Sequence, residues 1–243
     1  MSYLVLVRHG QSMWNLANKF TGWVDIPLSE RGILEAMQAA KDLQSLKFDV
    51  AFTSNLIRAH QTLFSIMASQ KRISVMMHDD SKHKRYYLHP DVIEKDEVPV
   101  YQYQKLNERF YGDLQGMDKD QARRRFGKEQ VFKWRRSYSV RPPHGESLKD
   151  VCRRSVPCFE KMIMPVVKEK KNVLVSAHGN SLRAIIKHLD GISDDDIPHL
   201  ELPTGKPIVY KYMRGKLLKD NHEHNFDRPL FWKEPESHKV KNS

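Results

Sequence analysis

Short, almost wholly apolar runs alternate along the chain with longer stretches in which apolar residues recur at helical spacing. Tyr3-Leu4-Val5-Leu6-Val7 is a run of the first kind and reads as a strand buried on both faces. Ser29 stands as an N-cap before a helix predicted near 30–46, with Leu34, Met37, Leu43 and Leu46 on roughly one face. Asp49-Val50-Ala51-Phe52-Thr53 reads as a second buried strand, after which Ser54 caps a helix carrying Ala59, Leu63, Ile66 and Met67 at helical spacing. A helix is expected over 147–168, where Pro157 either kinks it or sits where the lost hydrogen bond is tolerated. Val173-Leu174-Val175-Ser176-Ala177 is a third strand, leading into His178-Gly179-Asn180 and a further helix to about Leu189. Strands alternating with helices predict an α/β fold: one three-layer domain with a mostly parallel sheet and helices on both faces.

The length of 243 residues suits a single large domain or one domain with insertions. Residues 77–98 are polar and charge-rich and read as an insertion, while 215–243 read as a polar, basic tail. That leaves 1–214 as the domain in which any chemistry is expected. Two cysteines, Cys152 and Cys158, are too few for a secreted disulfide scaffold and lack metal spacing, so they read as reduced thiols in a cytoplasmic protein. The first strand meets Arg8 at once, which argues against a signal peptide, and no run approaches the roughly 18 apolar residues a membrane span needs. The formal charge of +11 implies anionic partners without choosing among nucleic acid, membrane surface and phosphorylated small molecules.

Candidate chemistry narrows that choice. The first strand ends in Arg8-His9-Gly10, which puts a guanidinium and an imidazole at the carboxyl end of a sheet, where open α/β folds build their sites. Arginine offers a planar fork suited to phosphate, and a neutral imidazole beside it is a ready nucleophile for a phosphoryl group. Gly10 is expected to let the chain turn sharply and a ligand approach the backbone. His178-Gly179-Asn180 repeats the same grammar of buried strand, histidine, glycine and helix start. Arg58 adds a guanidinium in the first turn after the second strand, and a helix N-terminus itself attracts anions. Together these residues point to one shared phosphate site. Arg123-Arg124-Arg125 reads as a solvated basic face.

The stretches LVLVRHGQSMWN (4–15), FTGWVD (20–25), TSNLIRAHQT (53–62), LNERFYGDLQG (106–116), WRRSY (134–138), ESLKDV (146–151), SAHGNSLR (176–183) and KHLDGISDDDI (187–197) resemble the cofactor-dependent phosphoglycerate mutases, the 2,3-bisphosphoglycerate-requiring branch of the histidine phosphatase superfamily. The resemblance runs from about residue 3 to 210, and LNERFYGDLQG is specific to the mutase branch. It implies an isomerase, an intramolecular phosphotransferase that interconverts 3- and 2-phosphoglycerate in glycolysis and gluconeogenesis. His9 would be the nucleophile, carried as phosphohistidine, with Arg8, Arg58 and His178 around the phosphate and Asn15 with backbone N–H groups completing the cage. Glu108 would exchange a proton with the substrate hydroxyl. Arg109, Lys119, Arg135 and Arg136 would grip the carboxylate and the non-transferring phosphate, and Thr21, Gly22, Tyr111, Gly179 and Asn180 would touch the ligand through side chain or backbone. The implied cofactor is 2,3-bisphosphoglycerate as priming phosphoryl donor; no metal, nucleic acid or membrane is implied.

Two departures stand out. Only His144 and Gly145 separate the segment at Val140-Arg141-Pro142-Pro143 from Glu146-Ser147-Leu148, where long-form relatives carry a longer insertion. Conversely, 77–98 expands a connection that is short in relatives. Either change bears on subunit contact, so a homo-oligomer is left open. Other readings are a bisphosphoglycerate synthase or phosphatase using the same residues, a broad histidine phosphatase, and, from another class, a basic RNA- or membrane-binding protein. Clustering of the cations in the motifs above disfavours the last.

Overall fold

The computed structural model describes residues 1–77 and 94–220. Among these, β1 (Ser2–Arg8), β2 (Val50–Thr53), β3 (Ile73–Met77), β4 (Glu97–Gln102), β5 (Val173–Ala177), β6 (Pro207–Met213) and β7 (Lys216–Lys219) form a seven-stranded sheet in the order β3-β4-β2-β5-β1-β6-β7. The five strands from β3 to β1 are mutually parallel, and β6 and β7 add antiparallel at one edge. The helices are α1 (Met13–Leu16), α2 (Glu30–Asp42), α3 (Ile57–Ala68), α4 (Lys119–Phe126), α5 (Lys128–Arg136), α6 (Leu148–Cys158), α7 (Met164–Lys168) and α8 (Gly179–Asp190).

Alternation along each central strand divides the core into two layers. Leu4 and Leu6 pack with Val173, Val175 and the apolar faces of α6, α7 and α8. Val5 and Val7 point the other way, onto Leu43 after α2 and onto Leu63, Ile66 and Met67 of α3. Strands covered on both faces need apolar residues at every position, which is why β1 and β5 read as unbroken runs. A third cluster, Phe20, Leu114, Ala122, Val131 and Trp134, holds the 103–147 excursion together and carries α4 and α5.

Several local expectations are corrected. In α2 the buried positions are Gly32, Ala36, Ala39 and Ala40, whereas Leu34 and Met37 are 61% and 48% exposed. Small residues let α2 lie close against its neighbours, so the bulky ones face outward. Gly10 serves that same approach rather than a ligand's: a Cβ on Gly10 would stand 2.2 Å from the Gly32 carbonyl oxygen. Ser54 does not cap α3, whose N-cap is Leu56 without a side-chain bond. Pro157 does not break its helix. It lies inside α6, after which the chain passes through a π-helical turn at Phe159–Ile163 into α7, where Pro165 takes a first-turn position that needs no donor. The boundary residues of the expected insertion belong to the sheet, Met77 in β3 and Glu97–Val98 in β4, while 78–93 lie outside the described residues. The tail likewise begins later than residue 215. Lys216–Lys219 pairs with β6, and its polar composition is that of a half-exposed edge strand. Residues 221–243 lie outside the described residues.

The glycine contact gives a stability prediction. A Cβ on Gly32 would stand 2.0 Å from the Gln11 carbonyl oxygen, so Gly32→Ala should destabilise the protein by about 1–3 kcal/mol in denaturant or thermal melts. Ala at the half-exposed neighbour Ile33 should cost only about 0.5 kcal/mol. Equal losses at the two positions would show that the backbone approach is not the sensitive feature.

Candidate active site

The register of β1 on β5 pairs Arg8 with Ala177, and the His9 N–H donates to the Ala177 carbonyl at 3.0 Å. Histidines that immediately follow two adjacent parallel strands therefore meet, and their ring centroids stand 5.0 Å apart. Both rings are buried. His9 Nδ1 lies 2.6 Å from the Gly10 carbonyl, which assigns the hydrogen to Nδ1 and leaves the Nε2 lone pair to accept from Arg58 Nε at 3.3 Å. Burial, followed by the charges of Arg58 and Arg8, holds the His9 pKa well below the usual imidazole range. An imidazole kept neutral, with Nε2 turned to a cation, is a nucleophile that needs no base to deprotonate it.

His178 is tied through Nε2 to Ser54 Oγ at 2.7 Å, and that oxygen accepts the Leu56 N–H. With one hydrogen and two lone pairs, the Ser54 hydroxyl can both take the Leu56 N–H and meet Nε2. Nδ1 is buried without a partner, as are Arg8 Nε and Thr21 Oγ1. Burial first, then Arg58 and His9, depresses the His178 pKa as well. Orphaned buried donors are costly, and such a set around His9 fits phosphoryl oxygens.

Carbonyl oxygens position the arginines. Arg58 donates to Val24 O at 3.0 Å and Gly22 O at 2.7 Å, and Arg8 donates to Leu202 O at 2.7 Å. Gly22 is required at its place, with φ +55° and Gln115 Oε1 only 2.0 Å from where a Cβ would stand. Asn15 closes the Ser12 capping box through Oδ1, leaving its Nδ2 for the cavity. Desolvation brings Arg58 down to about 10, still charged at neutral pH. Lys119 is lowered to about 8 through burial and the charges of Arg135 and Arg8.

Glu108 is buried and fixed at one oxygen. Its Oε1 accepts from Arg109 N at 2.6 Å, Asn180 Nδ2 at 2.7 Å and Asn180 N at 3.2 Å. Oε2 lies beside Gly179, where an added Cβ would stand 3.6 Å from Oε2 and 3.5 Å from Arg8 Nε. Glycine there keeps space between the carboxylate and the arginine.

One cavity gathers Arg8, His9, Asn15, Thr21, Gly22, Arg58, Glu108, Tyr111, Lys119, Arg135, Arg136, Gly179 and Asn180. Two expected site residues are not in its wall. His178 sits behind His9. Arg109 is wholly buried, stacks over the Tyr111 ring at 4.8 Å and donates to Tyr111 Oη at 3.0 Å and Arg135 O at 2.7 Å, which makes it a support for residues that do face the cavity. Conversely, the wall includes Lys19, Arg183 and Glu201, none of which the sequence reading had assigned a role. Arg183 follows Asn180 by three positions on α8, so helical spacing alone would have placed it on the same face. Burial lowers its pKa to about 10. Lys19 and Glu201 carry no such signal. Glu201 pairs with Arg136 at the rim. Among the described residues no three His, Cys, Asp or Glu side chains gather as metal ligands would.

Comparison with known proteins agrees with this arrangement. The sequence model of the histidine phosphatase superfamily (branch 1) matches residues 4–82 and 81–222. A 2,3-bisphosphoglycerate-dependent phosphoglycerate mutase of Methanosarcina acetivorans is 46% identical over 240 residues, covering 92% of this chain and 96% of its own. The protein of the same name from Chlamydia pneumoniae is 48% identical over 224 residues, covering 90% and 97%. Among solved structures, mycobacterial hydrolase 1 superposes with a TM-score of 0.72 at 22% identity, covering 90% of this chain and 97% of that one. The α-ribazole phosphatase of Shigella flexneri gives 0.68 at 21% identity, covering 90% and 94%. These two likenesses are of fold alone.

Lys119 supplies a pH prediction. A bound anion favours the charged ammonium, so Lys119 has a higher pKa in the complex than its value of about 8 in the free protein. Affinity for sulfate, whose own charge is constant near neutral pH, should be level below that value. Above it, affinity should fall by up to about tenfold per pH unit in calorimetric titrations. Lys119→Met should bind more weakly and lose this alkaline limb; a limb that persists in the variant would assign it to another cation.

Proposed function

The chain belongs to the histidine phosphatase superfamily, and from that premise we propose that it is a 2,3-bisphosphoglycerate-dependent phosphoglycerate mutase, interconverting 3- and 2-phosphoglycerate in glycolysis and gluconeogenesis. The observation that carries this reading beyond the fold is the charge of the cavity wall. Seven cations, Arg8, Lys19, Arg58, Lys119, Arg135, Arg136 and Arg183, face two carboxylates, Glu108 and Glu201. A three-carbon acid bearing two phosphates carries about four to five negative charges, which matches that surplus, whereas a simple phosphomonoester carries about two.

When bound, 2,3-bisphosphoglycerate supplies the phosphoryl group that charges His9. Arg8, Arg58 and Asn15 would hold the phosphoryl oxygens, with His178 packed against the His9 ring. Each charge-assisted bond contributes about 1.5–3 kcal/mol, and those that tighten during transfer lower the barrier. The P–N bond to His9 Nε2 breaks as the substrate hydroxyl oxygen attacks phosphorus, and Glu108 Oε2 takes the hydroxyl proton. In the return step Glu108 gives the proton back as His9 accepts the other phosphoryl group. Arg135, Arg136, Lys119 and Arg183 hold the carboxylate and the phosphate that is not being transferred, with Tyr111, Thr21, Gly22, Gly179 and Asn180 shaping the space. Arg109 acts from behind, through Tyr111 and the Arg135 carbonyl.

Turnover of 3-phosphoglycerate should depend on a trace of added 2,3-bisphosphoglycerate once the protein has been freed of bound phosphoryl donor. Incubation with the labelled donor should leave an acid-labile, alkali-stable label on His9, and His9→Ala should fold normally while losing essentially all interconversion. A label on His178, or turnover indifferent to the donor, would reverse this assignment.

Holding the ligand while it reorients distinguishes a mutase from a hydrolase. Replacing Arg135 and Arg136 together by alanine removes two charge-assisted contacts, about 3–6 kcal/mol if additive. KM for phosphoglycerate should rise steeply, and the ratio of phosphatase to mutase turnover should rise with it. An unchanged KM and ratio would make these arginines a solvated rim.

A further inference from the structure

The ESLKDV segment and the two arginines after it have no part in the scheme above, yet two of these side chains, Glu146 and Arg154, converge on the main chain of the proposed acid/base. Arg154, on α6, points to the 105–110 segment and is largely buried, as is Glu146. Its guanidinium makes five hydrogen bonds. Nε donates to Glu146 Oε1 at 2.9 Å, and Nη2 donates to Glu146 Oε2 at 2.9 Å and to Glu108 O at 2.8 Å. Nη1 donates to Lys105 O at 2.8 Å and Asn107 O at 3.0 Å. All five N–H donors of the group are thereby used.

Glu146 completes the clamp on the far side of residue 108. Its Oε2 accepts the Phe110 N–H at 2.9 Å, and its own N–H donates to Phe110 O at 2.8 Å. Trp23 donates its indole N–H to the same Glu108 carbonyl that receives Arg154, and the guanidinium lies 5.7 Å from the centre of that indole ring. Three separate motifs thus meet behind one carboxylate: FTGWVD through Trp23, LNERFYGDLQG through Glu108 and the ESLKDV region through Glu146 and Arg154. In front, Arg109 N and Asn180 fix Oε1.

We propose that Arg154, paired with Glu146 and assisted by Trp23, is a positioning residue that sets the carboxylate of Glu108 for proton transfer. The inference rests on the function proposed above. A planar fork is needed to serve a carboxylate and three carbonyls at once, so lysine cannot substitute although it keeps the charge. A misplaced Glu108 slows only the steps in which a proton moves. Transfer of phosphoryl to His9 from a donor whose leaving group needs no proton, such as p-nitrophenyl phosphate, is spared.

The test is a double-mutant cycle on the full chain, with Arg154→Lys, Glu108→Gln and the pair. Each protein is assayed for phosphoglycerate interconversion and for the single-turnover burst of p-nitrophenolate released as p-nitrophenyl phosphate phosphorylates His9, and its folding is checked by circular dichroism and thermal melting. Arg154→Lys should lower kcat for interconversion by about 10–100-fold with KM changed by less than about threefold, and should leave the rate of the p-nitrophenolate burst, which reports phosphoryl transfer to His9 alone, within about threefold. In the Glu108→Gln background the same change should cost less than about threefold, because the group it positions is already inert. Should Arg154→Lys melt too early to assay, Trp23→Phe removes one bond to the same carbonyl and should show the same pattern more weakly. The full loss repeated in the Glu108→Gln background, or both activities falling in parallel, would overturn the positioning role while leaving the function intact. A wild-type protein without interconversion would overturn the function itself.

Discussion

A guanidinium buried against a carboxylate is neutralised; one buried against carbonyl oxygens is held in place and keeps its charge. Arg8, Arg58 and Arg183 are of the second kind, donating to the carbonyls of Leu202, of Val24 and Gly22, and of Ile197. Arg109, behind them, is anchored to the Arg135 carbonyl in the same manner. This arrangement costs the empty protein stability, because like charges crowd a poorly solvated space. The depressed pKa values of Arg58, Lys119 and Arg183 express that cost. Burial first, and these charges second, keep His9 and His178 neutral, so the setting that holds the cations also leaves His9 free of its proton. The exceptions are informative. Arg136 has a carboxylate partner at the rim, where Glu201 is exposed to water, and Arg154 has one behind the site, where both partners are largely buried.

Topology delivers these groups with little help from loops. β1 and β5 are neighbours and run parallel, so the residues that follow them share one end of the sheet, and the register sets one imidazole against the other. The 103–147 excursion needs its own small core to bring Lys119 and Arg135 over that end. Ser54, just after β2, meets His178 at the end of the neighbouring β5. A polar residue that looked like a helix cap thus proves to be an anchor for a buried imidazole.

Much of this was legible in the chain, for identifiable reasons. β1 and β5 announce themselves because burial on both faces demands unbroken apolar runs, and the Arg-His-Gly and His-Gly-Asn endings lie where parallel strands expose their carboxyl ends. The apolar face of α3 followed from spacing alone. What was hidden depends on distance rather than pattern. The contact of Gly10 with Gly32 is a long-range approach that leaves no periodic trace, and it turned α2's larger residues outward. Arg109 resembles a ligand-binding cation in sequence but is screened by Tyr111. Arg154 looks like any charged residue on an amphipathic helix until the 105–110 segment is laid against it. β7 is polar because one side of it meets water, and composition alone does not separate an edge strand from a tail.

The placement of β5 also orders events in time. β1 has two hydrogen-bonded neighbours, β5 and β6, and both are encoded more than 160 residues later. During synthesis His9 therefore emerges before either strand that pairs with β1. Its ring loses water, and with it the affinity for a proton, only when β5 slides in between β1 and β2 and brings Ala177 and His178 beside it. The buried, neutral imidazole is thus a property of the closed sheet and of no shorter stretch of the chain.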